Sequence, residues 1–344
     1  MENNHMTRTD IRLALPSKGA LYQGAFDFFA SCGLEIVRRN PRQYEAQIPA
    51  LPGVTVLLQR PGDIVTGVTQ GSLDFGVTGQ DILSEKAFGK MDSIVSVHDA
   101  LGFAPCTLNL AVPEALPVQT MVELQRWAAE LGENGRPLRV ATKFPHTTGA
   151  FLDRHDVAPY RLIDAEGTLE IAPVIGFADM IADLVSSGIT LRDNHLRILD
   201  DGEILRSEAC LIANKAALRR RPDVLAVARQ MLEYFEAHLR AEGSYLVTAN
   251  MRGQSPQAIA AGMREKPHIA GLQGPTISTV VGHNEATNGR SWYAVNIVVR
   301  KKELFQAIAE LRSIGGSGVI VAPCSYIFEE EPARFAALLA AIEE

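Results

Sequence analysis

Ile11-Arg-Leu-Ala-Leu15 alternates side-chain character as a half-buried strand does, and Pro16-Ser-Lys-Gly19 interrupts it. Leu21, Ala25, Phe28, Phe29 and Cys32 then recur on one face of a helix. Strand, short polar loop and helix is the opening of a parallel α/β unit. Val54-Thr-Val-Leu-Leu58 repeats the strand, and Pro61-Gly-Asp-Ile64 starts a helix with a proline and an early carboxylate, as the helix dipole favours. Leu73-Asp-Phe-Gly-Val-Thr78 is a third strand, with Gly79-Gln-Asp81 opening the next helix.

A second cluster follows: a strand at Thr107–Val112, a helix over 119–131, a strand at Leu138–Ala141 and a turn at His146–Gly149. The spacing predicts a helix from Phe177 to Val185 running into Ser186-Ser-Gly-Ile-Thr190. Leu196–Asn214 reads as strand-rich, and Lys215–Glu242 as a helical bridge to a last domain. From 243 to 330 the order is strand, helix, strand, strand, helix, strand, the split βαββαβ arrangement. The loop His283–Arg290 and the tail Glu329–Glu344 read as surface additions.

At 344 residues the chain suits two or three domains. Its net charge of −7 argues against a nucleic-acid or anionic-membrane binder, so any anion must be held by local loops. Cys32, Cys106, Cys210 and Cys324 have neither zinc nor disulfide spacing, and no stretch approaches the roughly 20 apolar residues of a membrane span. Met1–Asp10 is polar, unlike a signal peptide, so a cytoplasmic location is expected.

The segment richest in chemistry is Ala178–Leu191. In a helix, Asp179 and Asp183 share a face, an arrangement that suits a sugar diol or a magnesium–diphosphate between them. Ser186, Ser187, Gly188, Ile189 and Thr190 supply hydroxyls and turnable amides that can wrap a phosphate without lysine; a helix C-cap with solvated hydroxyls accounts for the same letters. Lys18 and Gly19 stand where open α/β sheets bind ligands, although a capped helix, with Ser17 as cap, and a solvated lysine is the blander reading. Arg60, Asp63, Thr78, Gly79 and Asp81 lie on loops leaving strands. Arg60 is a phosphate-binding candidate there, whereas Asp63 and Asp81 equally fit as charges at helix N-termini. No Gly-x-x-x-x-Gly-Lys-Ser/Thr loop, Gly-x-Gly-x-x-Gly fingerprint, His-Glu-x-x-His pair or Gly-x-Ser-x-Gly elbow occurs.

Leu15-Pro-Ser-Lys-Gly19, Arg60-Pro-Gly-Asp-Ile64, Asp74-Phe-Gly-Val-Thr-Gly79 and Asp183-Leu-Val-Ser-Ser-Gly-Ile-Thr-Leu191, in this order, resemble the ATP phosphoribosyltransferases of histidine biosynthesis. The likeness runs from about Ile11 to Phe328, and Gly315-Gly-Ser-Gly-Val-Ile-Val-Ala-Pro323 resembles the end of the family's long form. The resemblance implies an α/β fold with two periplasmic-binding-protein-like catalytic lobes and a C-terminal ferredoxin-like (βαββαβ) regulatory domain. On this sequence that places lobe I at 1–105 and 192–240, lobe II at 106–191 and the effector-binding domain at 241–344.

It also implies transfer of a phosphoribosyl group from phosphoribosyl diphosphate to N1 of ATP, with Mg2+ held mainly through substrate, inhibition by histidine, and a hexamer with a dimer form. By position, Asp183–Thr190 matches the family's phosphoribosyl-diphosphate loop, Glu170 a carboxylate near the same sugar, and Lys18, Arg60 and Asp81 loops facing nucleotide and diphosphate. Thr276 and Ser317 are effector candidates as polar groups near glycines, which turn chemistry explains equally well. Two positions depart from the family: Ala20 stands where arginine is frequent, and Ser187 replaces a threonine. A solute receptor or the effector domain of a regulator would need a signal peptide or a helix-turn-helix, and neither is visible. A Rossmann-like phosphoribosyltransferase would carry paired acids directly before its loop, where Leu184 and Val185 stand here.

Overall fold

In the computed structural model, β1 (Ile11–Pro16) lies inside a sheet between two parallel neighbours, the position its Leu13, Ala14 and Leu15, all fully buried, require. The structure describes residues 9–343 apart from 41, 166 and 282–290, so the expected loop His283–Arg290 lies outside the described residues. After β1 come α1 (Ala20–Ser31), β2 (Glu45–Gln47), β3 (Val54–Gln59), α2 (Pro61–Gln70), β4 (Phe75–Gly79), α3 (Gln80–Lys86) and β5 (Ile94–His98). The next stretch holds β6 (Cys106–Pro113), α4 (Met121–Glu133), β7 (Leu138–Thr142), α5 (Pro145–Arg154), β8 (Tyr160–Asp164), β9 (Met180–Val185), α6 (Ile189–Asp193) and β10 (Leu196–Ser207). β11 (Ala209–Asn214), α7 (Lys215–Arg220) and α8 (Pro222–Ala241) lead to β12 (Ser244–Gly253), α9 (Pro256–Arg264), β13 (Thr276–Thr279), β14 (Ser291–Arg300), α10 (Leu304–Ser313), β15 (Ser317–Pro323) and α11 (Ala333–Glu343).

Two compact units result, Met1–Leu232 with Pro332–Glu344, and Glu233–Glu331. The first holds two sheets, with strand orders β2-β3-β1-β4-β11-β5 and β10-β6-β9-β7-β8. The chain crosses between them twice, from β5 to β6 and from β10 to β11, which makes two lobes joined by two strands. Because β1, β3 and β4 run parallel, their C-terminal ends share one edge of the first sheet; β7, β8 and β9 share one edge of the second in the same way. Ligands of open α/β sheets gather at such edges. Asp74 ties the first sheet together. Only 1% exposed, it accepts the Arg12 amide at 2.8 Å and pairs with Arg221 at 3.3 Å.

The second unit is one four-stranded antiparallel sheet in the order β13-β14-β12-β15, with α9 and α10 packed on one face. This is the βαββαβ arrangement expected from the sequence. Among the described residues no helix is long and apolar enough to cross a membrane.

Three local expectations are corrected. Phe177–Val185 is not helical: Met180–Val185 is strand β9, in the middle of its sheet. Met180 and Ala182 enter the core on one face and Ile181 the core on the other, so the run is apolar throughout and loses the alternation that marks a half-buried strand. The expected turn at His146–Gly149 is the first half of α5, started by Pro145. The tail, read as a surface addition, carries α11, whose Phe335, Leu338 and Ile342 are buried. Arg334 bonds Asp99, and Arg219 donates to the Ile342 carbonyl. Residues 332–344 therefore pack with the first unit, whereas the expected effector domain ran to 344.

Replacing Asp74 with alanine strands the Arg12 amide and removes the buried ion pair with Arg221, and bonds to a charged group are worth about 1.5–3 kcal/mol. Asp74→Ala is expected to destabilise the first unit by that amount, read as a lower urea midpoint.

Candidate active site

The strand β9 leads into a short bend and then α6. Gly188, the N-cap of α6, has φ +69°, a left-handed conformation that side-chain-bearing residues avoid. The bend turns the backbone so that the amides of Ser186, Ser187 and Gly188 donate to no described residue, and Ser186, Ser187, Ile189 and Thr190 are all exposed. Bare amides and hydroxyls on a bend after a strand form a nest for an anion. The hydroxyls thus stand at a strand-to-helix junction, where the sequence reading had a helix ending.

Asp183 sits three residues before the bend, half-buried, with its Oδ1 accepting the Leu184 amide at 2.8 Å. Burial pushes its carboxyl above the ordinary value and the charge of Glu170 adds to the push, while the Leu184 amide and the Lys143 charge oppose it. Asp183, Glu170 and Lys143 are therefore electrostatic neighbours. Glu170 follows Thr168, which holds a left-handed φ of +47°. In a residue other than glycine such strain is characteristic of functional loops. Lys143, directly after β7, was missed in the sequence; its one signal is its place beyond a parallel strand's C-terminal end.

Asp179 does not join this group. Four residues along extended chain is about 13 Å, so Asp179, just before β9, and Asp183, within it, do not lie in adjacent helical turns. Asp179 accepts from Arg139 at 3.0 Å and Arg136 at 2.9 Å. Burial pushes its carboxyl up, but the bonds from Arg139 and Arg136 outweigh this and hold it below the ordinary range.

On the first sheet, Lys18 and Arg60 are exposed at the shared strand edge, and neither pairs with another described residue. Gly19 starts α1 with φ 78° and ψ −169°, a combination open to glycine alone; Ser17, the expected cap, makes no side-chain cap bond, and Ala20 is the first residue of the helix. Asp81 turns inward. It accepts from the Ser207 hydroxyl at 2.6 Å and returns its amide to the same oxygen at 3.0 Å, beside the β10–β11 crossing. Thr78 is fully buried with its Oγ1 meeting no partner among the described residues, and Gly79 precedes α3 at the same edge.

A cavity of about 490 Å³, within the usual range for small-molecule sites, is lined by Gln80 from the first lobe and Cys106, Thr107, Val185 and Ser186 from the second, with Ser207 at the crossing. Of the Asp183–Thr190 stretch, Val185 and Ser186 thus line an interlobe cavity. In the second unit Thr276 and Ser317 lie on the two opposite edge strands, and the Ser317 hydroxyl donates to the Asn250 carbonyl at 3.3 Å, so one chain does not bring these two together.

A family model described as ATP phosphoribosyltransferase matches residues 60–236, and the family's C-terminal domain matches 241–326. The chain is 42% identical over 338 residues to ATP phosphoribosyltransferase 2, chloroplastic, of Arabidopsis thaliana, covering 96% of this chain and 80% of that protein. It is 35% identical over 339 residues to ATP phosphoribosyltransferase of Caulobacter vibrioides, covering 96% of this chain and 98% of that one. A solved chain of the ATP phosphoribosyl transferase (HisG:HisZ) complex from Thermotoga maritima aligns at TM-score 0.49 and 24% identity, covering 66% of this chain and 98% of its own.

The raised Asp183 carboxyl has a consequence for stability. Below the unfolded-chain value of 3.8 both states hold the proton and nothing is lost. As pH rises past it the unfolded chain ionises first, and stability falls until the folded carboxyl has ionised too. Asp183→Asn is expected to raise the melting temperature of the ligand-free protein at pH 7, by about 2–4 °C for each kcal/mol relieved, with little change at pH 3.5; calorimetry at both pH values checks it.

Proposed function

The chain belongs to the ATP phosphoribosyltransferase family, pentosyltransferases of the first step of histidine biosynthesis, and from that premise we propose that it joins N1 of ATP to C1 of phosphoribosyl diphosphate with release of pyrophosphate. The observation that carries the reading is the bend Ser186–Gly188, whose amides donate to no described residue and whose Ser186 lines an interlobe cavity.

In this reading the Ser186–Thr190 amides and hydroxyls bind the 5′-phosphate of the sugar. Asp183 and Glu170 accept hydrogen bonds from its ribose hydroxyls, contacts that compensate the burial of Asp183. Lys18 and Arg60 approach the diphosphate from the opposite lobe. With alanine at position 20, Lys143 is a further cation available to phosphate oxygens. The bond from C1 to the diphosphate oxygen breaks as that from adenine N1 to C1 forms. N1 carries no proton at neutral pH, so no general base is required. The rate comes from aligning two polyanions and stabilising the leaving charge.

Among the described residues no cluster of three or more His, Cys, Asp or Glu could hold a metal ion, and the charges of Asp183 and Glu170 oppose one another, which a cation brought by the substrate would relieve. Magnesium carried on the substrate would meet those two and neutralise diphosphate charge.

For the second unit we propose histidine as feedback effector, with assembly to a hexamer through a dimer form; the support is the match of the family's C-terminal domain over 241–326.

Purified protein with ATP, phosphoribosyl diphosphate and magnesium is expected to form phosphoribosyl-ATP, seen by chromatography and mass; no product overturns the proposal. Lys18→Ala and Arg60→Ala are each expected to lower kcat/KM by on the order of 100-fold, the usual cost of losing one group that stabilises developing charge. Millimolar histidine is expected to inhibit the full chain, and an insensitive enzyme would remove the regulatory assignment alone.

A further inference from the structure

α5 begins without a local cap. Phe144, at its N-cap, has no side-chain oxygen, and Pro145 has no N–H, so the amides of His146 and Thr147 are the first orphan donors of the helix. Both are met from the other lobe. The carboxylate of Glu85, on α3, accepts the His146 amide at 3.0 Å on Oε1 and the Thr147 amide at 2.9 Å on Oε2; the Thr147 hydroxyl donates to Oε2 at 2.9 Å. Glu85 is 5% exposed, and among the described residues no cation pairs with it. A buried carboxylate is thus stabilised by three donors and the positive end of a helix dipole, each bond charge-assisted. The Phe88 ring stacks on the His146 ring at 5.0 Å and 6°, adding a second interlobe contact at the rim.

The position of this contact gives it its meaning. α3 starts at the end of β4 and is anchored there by Asp81 and Ser207, beside the β10–β11 crossing. α5 starts two residues after Lys143, at the edge that carries the Asp183–Thr190 loop. Glu85, in the last turn of α3, therefore ties the helix that leaves one edge to the first turn of the helix that leaves the other, the two edges that the proposed reaction must align. We infer that Glu85 is a positioning residue, a latch that sets the closed spacing of the lobes by capping α5 across the cleft, so that Lys18 and Arg60 stand opposite the phosphate-binding bend. Its catalytic consequence rests on the transferase reading; the latch itself does not. On opening, the carboxylate and both amides would regain water, so the contact is reversible, unlike a hydrophobic seal.

The test uses the full chain and two variants. Glu85→Gln keeps the shape but loses the charge and turns an amino group toward one of the amides; Thr147→Val removes only the hydroxyl bond. In ligand-free protein, hydrogen exchange of the peptide spanning 145–150 is expected to quicken about tenfold in Glu85→Gln and by less in Thr147→Val. At saturating ATP, KM for phosphoribosyl diphosphate should rise about tenfold in Glu85→Gln while kcat changes less than threefold, because bound substrate supplies the closing energy that the latch no longer does. Unchanged exchange over 145–150 in Glu85→Gln overturns the latch whatever the kinetics, and a fall in kcat with KM unaltered overturns its positioning role. If Glu85→Gln does not fold, Thr147→Val decides by the same two readings. Wild-type protein lacking transferase activity would strike the function proposed above and leave the exchange result to decide the latch.

Discussion

A parallel strand that runs into a helix leaves the first-turn amides of that helix bare at the strand's C-terminal edge, with nothing in the secondary structure to satisfy them. Each lobe here is built from such junctions, and what meets the bare amides determines what each junction does. At α3, Ser207 accepts the Asp81 amide. At α5 a carboxylate from the neighbouring lobe does so. The bend before α6 meets no described partner, and there Gly188 permits the turn while exposed hydroxyls surround it. The same backbone geometry thus gives a support beside the β10–β11 crossing, an interlobe bond and a bend whose amides donate to no described residue.

Charge follows the same division. The chain is net negative, yet Lys18, Arg60 and Lys143 stand exposed at the strand edges. Asp179, just before β9, and Asp183, within it, show how environment separates chemically identical groups. Asp179 is gripped by two arginines and held ionised as a structural anchor, whereas Asp183 is half-buried beside another carboxylate and is strained by its own charge. A ligand bringing donors relieves the second and has nothing to offer the first.

How far the sequence could be read followed from which faces were wet. α1 and α2 were legible because one side of each meets water and the period survives in the letters, and β1, though buried on both faces, because Pro16-Ser-Lys-Gly19 cuts its run to strand length. β9 was not, because both its faces are covered and a continuous apolar run reads equally as strand or helix. Asp179 entered the candidate site through that misreading. α5 was hidden by a Pro-His-Thr-Thr-Gly opening that resembles a turn, and its cap, Glu85, stands sixty residues away in the chain. The Asp183–Thr190 loop was nominated from its letters and by family resemblance together. Lys143 and Ser207 carry no local motif and emerge only once strands are placed side by side.

α11 changes the topology of the whole chain. Because it packs beside β5, the backbone departs from the first unit after Leu232 and comes back to it at Pro332. The βαββαβ module is thus an insertion spliced into a helix-capped parent and held at two seams, not a pendant hung from a single thread. Trimming the polypeptide back past the module would strip Phe335, Leu338 and Ile342 from the surface they seal. Such a shortened protein would bare apolar area on the parent lobe and so would not report what the module does.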